Sequence, residues 1–171
     1  MKKLLIALAL LCNAAFAQKM VKNGTIYKEH PYIEVVKKLA ALYQKGDADG
    51  MARCYASNAQ LFGMTRYTPD SAVRVRHAIK GKSLAEAKAG WQHVIDGWEN
   101  IKMTPESAPD GLQYADAPFT VQSWWQLTMV NKATKKTAVI EMVLFDMFDK
   151  QGKIVTQFEY YDPAPMLAAM Q

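Results

Sequence analysis

The chain has 171 residues, a formal net charge of +5 and two cysteines. That length fits a single domain with a proper hydrophobic core. The basic residues are scattered rather than gathered in a dense stripe, which argues against nucleic acid as a partner. Their one mild cluster lies in residues 66–82, which we predict to be a solvated loop over a pocket mouth. The alternative is that this loop binds an acidic substrate or a membrane surface.

The first seventeen residues have the pattern of a secretory signal peptide. Lys2 and Lys3 precede the apolar run Leu4–Leu11, and residues 15–17 (Ala-Phe-Ala) form a small-x-small cleavage site. The apolar run is too short for a membrane span, which needs about 20 residues. We therefore expect cleavage after Ala17, export to the periplasm or the medium, and no stable membrane insertion.

Cysteine and histidine usage gives no sign of a metal or redox site. Cleavage removes Cys12 and leaves Cys54 without a disulfide partner, on an apolar helical face where a thiol is usually a small hydrophobe. No two of His30, His77 and His93 have a spacing typical of metal ligands, and no glycine-rich phosphate loop occurs. We expect neither a metal nor a cofactor.

The first half of the mature chain is predicted to be rich in helix. Residues 18–29 form a polar lead-in that we expect to be flexible. Apolar side chains recur at helical spacing in residues 31–45, with Pro31 in the first turn and Gly46 at the end. Asp47 is placed to cap a second, short helix through its side-chain oxygen.

The middle of the chain predicts a short strand in residues 59–65 and then a third helix. Ser83 and Glu86 have the spacing of a capping box, and the helix that they begin should end near Gly97. A strand in residues 98–106 and a turn in 105–111 follow, and residues 113–116 begin the next strand pairing.

The most informative stretch is residues 118–162, which contains three strand-like runs. Turns at residues 131–136 and 149–152 join the runs, with Gly152 at a position that needs a left-handed conformation. A meander of this length after a helix-rich half predicts one curved, antiparallel sheet wrapped over helices. Such a fold encloses a pocket, and we expect residues 30–171 to form one domain.

Alternation along these strands sorts their side chains into two faces. The apolar face and the helices predict a ligand pocket, whose candidate contacts are Tyr43, Tyr55, Trp91, Trp125, Met142, Phe158 and Tyr160. The second face has enough aromatic area to pair with another subunit, through Trp124, Val143, Phe145 and Tyr161. A β-bulge would exchange the two faces beyond it.

Asp146 is the candidate general base. On a regular register it lies on the apolar face among Val121, Phe148 and Thr156. Loss of solvation there would raise the pKa of the carboxyl, which is how a base is held ready near neutral pH. The alternative is a position at the open rim, hydrated or hydrogen-bonded to Thr156.

Several short motifs resemble the nuclear transport factor 2-like superfamily, and its SnoaL-like branch most of all. They cover nearly all of the mature chain and lie at residues 43–51, 55–59, 80–83, 148–154 and 160–162. The resemblance implies an α+β cone, in which a strongly bent, mostly antiparallel sheet is closed by about three helices around a pocket. It also implies functions that range from isomerases, cyclases and dehydratases to dimeric binding proteins. Asn58 stands where many relatives have Asp, so no acid–base role carries over to it.

These observations favour an exported domain that binds a small, largely apolar molecule. The first alternative is an isomerase, cyclase or dehydratase that uses Asp146 for proton transfer. The second is a non-catalytic module that forms a homodimer through the second face of the sheet. A fold of this kind has many different functions in different proteins, so the choice among these three depends on the residues of the site.

Overall fold

The computed structural model describes residues 23–63 and 81–171. The predicted signal peptide, the predicted loop up to residue 80 and the last two residues of the predicted 59–65 strand lie outside these ranges. In chain order the elements are β1 (Gly24–Tyr27), α1 (Pro31–Gln44), α2 (Ala48–Ala52), β2 (Tyr55–Gly63), β3 (Lys82–Ser83), α3 (Leu84–Gly97), β4 (Trp98–Pro105), β5 (Asp110–Tyr114), β6 (Thr120–Asn131), β7 (Thr137–Phe148), β8 (Ile154–Tyr161) and α4 (Ala164–Ala169).

The strands form one sheet in the order β1-β5-β6-β7-β8-β2-β3, and β4 also pairs with β6. The pairing of β2 with β8 is parallel, and the other pairings are antiparallel. Strands β6 and β7 are 12 residues each and pair along almost their whole length. The α+β class and the mostly antiparallel sheet are therefore confirmed, with four helices in the described residues where about three were predicted.

The predicted helix boundaries agree with the caps in the structure. His30 caps α1, because its Nδ1 accepts a hydrogen bond from the N–H of Tyr32 at 3.2 Å. Asp47 caps α2 by accepting from the N–H of Gly50 at 2.7 Å. The capping box of Ser83 and Glu86 begins α3, with both reciprocal hydrogen bonds present.

The core lies between α1, α3 and one face of the sheet. Ile33 and Val36 of α1 face it because they recur at helical spacing. Val121, Met129 and Ile154 meet them from the strands and are at most 1% exposed. Burial of such side chains is the main favourable term in folding, at about 1.5–3 kcal/mol for each.

Besides the two-residue strand β3, two elements were missed from the sequence. Strand β1 lies in the predicted flexible lead-in and pairs with β5, which itself begins at Asp110 rather than at residue 113. Helix α4 follows Asp162, whose carboxylate accepts a hydrogen bond from the N–H of Ala164 at 2.9 Å. Both elements are short, and they are stabilised by contacts with strands distant in sequence, β5 for β1 and β7 for α4. Local sequence patterns therefore predict neither of them well.

A β-bulge in β8 corrects the predicted face assignment. Phe148 pairs with Ile154 whereas the preceding Met147 pairs with Thr156, so Val155 is an extra residue in β8. The faces of β8 are exchanged from Thr156 onward. The side chains on the inner face are Gln157, Glu159 and Tyr161, and those on the outer face are Thr156, Phe158 and Tyr160.

Candidate functional site

A cavity of about 190 Å³ lies between the inner face of the sheet and helices α1 and α3. Aliphatic side chains form much of its wall, among them Val36, Leu39, Val94, Leu127, Ile140 and Leu144. Among the described residues, five methionines also line the cavity: Met51, Met103, Met129, Met142 and Met166. Unbranched thioether side chains adapt to irregular shapes, so this wall suits an apolar ligand.

The hydrogen-bonding groups of the cavity gather where β8 meets β2 and α1. The bulge at Val155 turns alternate β8 residues inward, which adds Gln157, Glu159 and Tyr161 to the lining. Tyr43 of α1, Tyr55 of β2 and the exposed Lys82 of β3 complete this polar side. The cavity therefore has an apolar wall and a polar side that faces it.

Asp146 is fully buried behind the cavity wall. Its Oδ1 accepts a hydrogen bond from Gln157 Nε2 at 2.7 Å, and its Oδ2 has no hydrogen-bond partner among the described residues. Burial raises the pKa of Asp146 to about 7, with Glu159 adding to the rise and the hydrogen bond from Gln157 opposing it. The carboxyl of Asp146 does not line the cavity. Its hydrogen-bond partner Gln157 does, so Gln157 connects the two.

The predicted neighbours of Asp146 need one correction. Asp146 pairs with Val121 across β6 and β7, as the alternating register predicted. Thr156 pairs with Met147 and lies on the outer face, so the predicted hydrogen bond to Thr156 is wrong. The predicted position at a hydrated rim is also wrong, since Asp146 is 0% exposed.

Glu159 is the carboxylate that lines the cavity. Burial raises the pKa of Glu159, and the positive charge of Lys82 opposes that rise. Burial also raises the pKa of Tyr43, Tyr55 and Tyr161, with the charge of Glu159 as a further cause in each. The three hydroxyls therefore keep their protons and can donate hydrogen bonds into the cavity.

Five of the seven predicted ligand contacts line the cavity: Tyr43, Tyr55, Trp91, Trp125 and Met142. The other two, Phe158 and Tyr160, lie on the outer face because of the bulge. Phe158 stacks on Phe62 with ring centroids 4.9 Å apart, and Tyr160 is 41% exposed. Sequence reasoning missed Gln157, Glu159 and Lys82, and the bulge that brings in the first two has no clear local signal.

The predicted interface residues divide between the two faces. Trp124, Val143 and Phe145 lie together on the outer face, where Val143 pairs with Trp124 on one side and with Tyr160 on the other. Tyr161 lies on the inner face and lines the cavity, which corrects its predicted position. A homodimer through the outer face stays a prediction.

Two further findings concern the described part of the chain. It has no group of three or more His, Cys, Asp or Glu side chains placed to hold a metal ion. None of its helices combines the length and the apolar character needed to cross a membrane. Cys54 is buried, and burial raises the pKa of its thiol.

No protein-family model and no curated protein matches this sequence. Solved structures do match it. They include a protein with a ketosteroid isomerase-like fold from Catenulispora acidiphila, in complex with trimethylamine (15% identity, 82% of this chain, 93% of that chain, TM-score 0.59). A protein assigned as a SnoaL-like polyketide cyclase from Shewanella denitrificans also matches (12% identity, 83% and 98%, TM-score 0.60).

A third match is a nuclear transport factor 2-like protein from Burkholderia xenovorans (16% identity, 82% of this chain, 95% of that chain, TM-score 0.54). At these identities the likeness establishes the fold. It extends over most of each chain and agrees with the sheet, the helices and the cavity described above. The chain therefore has the nuclear transport factor 2-like fold, in the form shared by SnoaL-like proteins, as the sequence motifs indicated.

Proposed function

We propose that this protein binds a small, largely apolar molecule in the cavity. The observation that carries the proposal is a space of about 190 Å³ with an apolar wall and a polar side formed by Gln157, Glu159 and three tyrosines. An apolar ligand would gain free energy by burying its surface against this wall.

The polar side would orient the ligand. Tyr43, Tyr55 and Tyr161 offer hydroxyl donors, and Gln157 and Glu159 offer acceptors. Few polar groups in a largely apolar pocket are typical of small-molecule sites, where the apolar wall supplies affinity and the polar groups supply specificity.

Proton-transfer catalysis of the isomerase, cyclase or dehydratase type is a second candidate. The specific observation in its favour is Glu159, a carboxylate in the cavity wall whose pKa burial raises. Asp146 lies behind Gln157, so Glu159 replaces it as the carboxylate within reach of a substrate. Solved structures with this fold include a protein assigned as a polyketide cyclase.

Gly90→Leu tests the binding proposal. Gly90 lines the cavity, and a Cβ built there meets nothing within 4 Å, so leucine adds bulk to open space without a clash. We expect p-cresol to bind the parent protein and to bind Gly90→Leu at least tenfold more weakly, as measured by isothermal titration calorimetry. Mass spectrometry of any compound retained by the parent, before and after incubation, then separates binding from turnover.

Gly97→Leu is the matched control. Gly97 ends the same helix, α3, a Cβ there also meets nothing within 4 Å, and the residue does not line the cavity. This variant should bind p-cresol like the parent. Equal affinity in all three proteins, or no binding of p-cresol together with no retained compound in the parent, would contradict the proposal.

Val143→Glu tests the predicted homodimer. Val143 lies on the outer face between Trp124 and Tyr160, so a buried glutamate in a symmetric interface would leave two unpaired charges. We expect the parent to sediment as a dimer and Val143→Glu as a monomer in analytical ultracentrifugation. Thr137→Glu, an exposed position at the start of β7, serves as the control and should remain dimeric. A parent that is monomeric at all concentrations, or a variant that sediments like the parent, ends this hypothesis.

A further inference from the structure

The Glu159 carboxylate is the one acidic group in the cavity lining among the described residues. No hydrogen bond or ion pair to it forms from any described residue. Lys82, the one basic residue of the described lining, is exposed at the rim and acts on Glu159 only through its charge. The carboxylate thus presents an unmatched acceptor to whatever occupies the cavity.

Aromatic rings line the cavity with this carboxylate. Tyr43, Tyr55, Trp91 and Tyr161 belong to the lining, and the rings of Tyr55 and Trp91 meet at 5.4 Å with their planes tilted by 36°. The faces of such rings attract cations, most strongly where water is excluded. A carboxylate among aromatic rings is the chemistry that recognises alkylammonium groups.

Asp146 adds a second acidic group behind the same wall. Its Oδ2 is buried without a hydrogen-bond partner in the described part of the chain, and Gln157 alone bonds to its Oδ1. Two carboxyls close to the polar side favour a cation in the cavity over a neutral molecule and oppose an anion. The five methionine side chains around the apolar part would accommodate the substituents of such a cation.

We propose that the molecule held in this cavity is an organic cation of the alkylammonium class, with its charge toward Glu159 and its apolar substituents against the methionine-rich wall. The inference rests on the proposed small-molecule function and specifies its ligand class. It predicts that the cavity binds such a cation more tightly than a neutral molecule of the same shape.

Proton linkage follows from the same geometry. Burial raises the pKa of Asp146 to about 7, so part of the empty protein holds a proton there near neutral pH, and burial raises the pKa of Glu159 as well. A bound cation favours the ionised carboxylates, so binding should release protons and tighten as pH rises. The titratable groups that face Glu159 are Lys82 of β3, Tyr43 of α1, Tyr55 of β2, Tyr161 of β8 and Asp146 of β7.

Choline and 3,3-dimethyl-1-butanol test the inference, because they share a shape and differ in charge. Calorimetry on the full chain should show choline binding at least tenfold tighter, in line with a desolvated cation held by rings. Glu159→Gln should abolish that advantage. Glu141→Gln should keep it, since Glu141 is exposed and pairs with Gln126 on the outer face.

Choline titrations of the parent in two buffers of different ionisation enthalpy give a second measurement, which does not depend on any variant. Proton release on binding supports the inference, and its absence overturns it. Equal affinity for the two probes, or a choline advantage that persists in Glu159→Gln, also overturns it while small-molecule binding stands. If neither probe nor p-cresol binds the parent and the parent retains no compound, the proposed function itself fails.

Discussion

Asp146→Asn is expected to make the protein less stable than the parent near pH 4 and more stable near pH 8. The pKa of Asp146 is about 7 in the folded protein against 3.8 for an ordinary aspartate. The folded state therefore binds the proton more tightly than the unfolded state, and the parent loses stability as pH rises from about 4 to about 7. Below that window the carboxyl is protonated in both states, and above it the full penalty remains.

The penalty is on the order of 4 kcal/mol, at about 1.4 kcal/mol for each pKa unit. Asparagine never ionises, but its buried amide brings two N–H donors without an acceptor where the protonated carboxyl brings one O–H, which destabilises the variant by about 1–3 kcal/mol relative to the protonated parent. The two stability curves should therefore cross between pH 4 and pH 8. Because other carboxylates also titrate, the quantity to measure is the difference in free energy of unfolding between variant and parent, from urea denaturation at several pH values.

Asp116→Asn is the control for this experiment. Asp116 is exposed in the loop between β5 and β6, so its replacement should leave the difference in unfolding free energy close to zero from pH 4 to pH 8. If the curves of Asp146→Asn and the parent stay parallel over that range, the buried carboxyl does not titrate as the structure implies.

The sequence predicts the architecture well where local patterns are strong. The spacing of Ile33 and Val36 in α1, the capping box at Ser83 and Glu86, and the alternation in β6 and β7 place these elements within a few residues. In the helix and the strands, the buried side chains recur at the period of the element, so the sequence itself shows which face is buried. The short motifs that resemble the nuclear transport factor 2-like superfamily then indicate the order of the elements.

The polar side of the cavity depends on a feature without such a pattern. Residues 153–156 (Lys-Ile-Val-Thr) suit a regular strand, and no glycine marks the bulge at Val155. One extra residue exchanges the faces of β8, which moves Glu159 and Tyr161 into the cavity and Tyr160 out of it. Asp146 lies on β7, whose pairing with β6 is regular, so the burial of Asp146 was predictable from alternation. Its partner Gln157 lies on β8 beyond the bulge, so that hydrogen bond was not predictable.

Trp125→Ala is expected to be far more damaging than the same change at its neighbour Trp124. Trp125 is 4% exposed, lines the cavity, and donates a hydrogen bond from its Nε1 to Ser123 Oγ at 2.8 Å. Removing the ring should lower the free energy of unfolding by about 3–5 kcal/mol. Trp124 is partly exposed on the outer face, so Trp124→Ala should lower the free energy of unfolding of the monomer by about 1 kcal/mol.

Indole provides the matching rescue, because it restores to Trp125→Ala the ring that the substitution removes. At ten times its dissociation constant, indole should add about 1.4 kcal/mol to the stability of that variant, by mass action. For a domain of this size the midpoint of thermal unfolding should then rise by about 3–5 °C, as followed by circular dichroism. Trp124→Ala should show a smaller rise, because its cavity is unchanged and no ring-shaped space is added to it. Equal destabilisation by the two substitutions would mean that β6 does not present Trp125 to the cavity, and the inner-face assignment would fall with it.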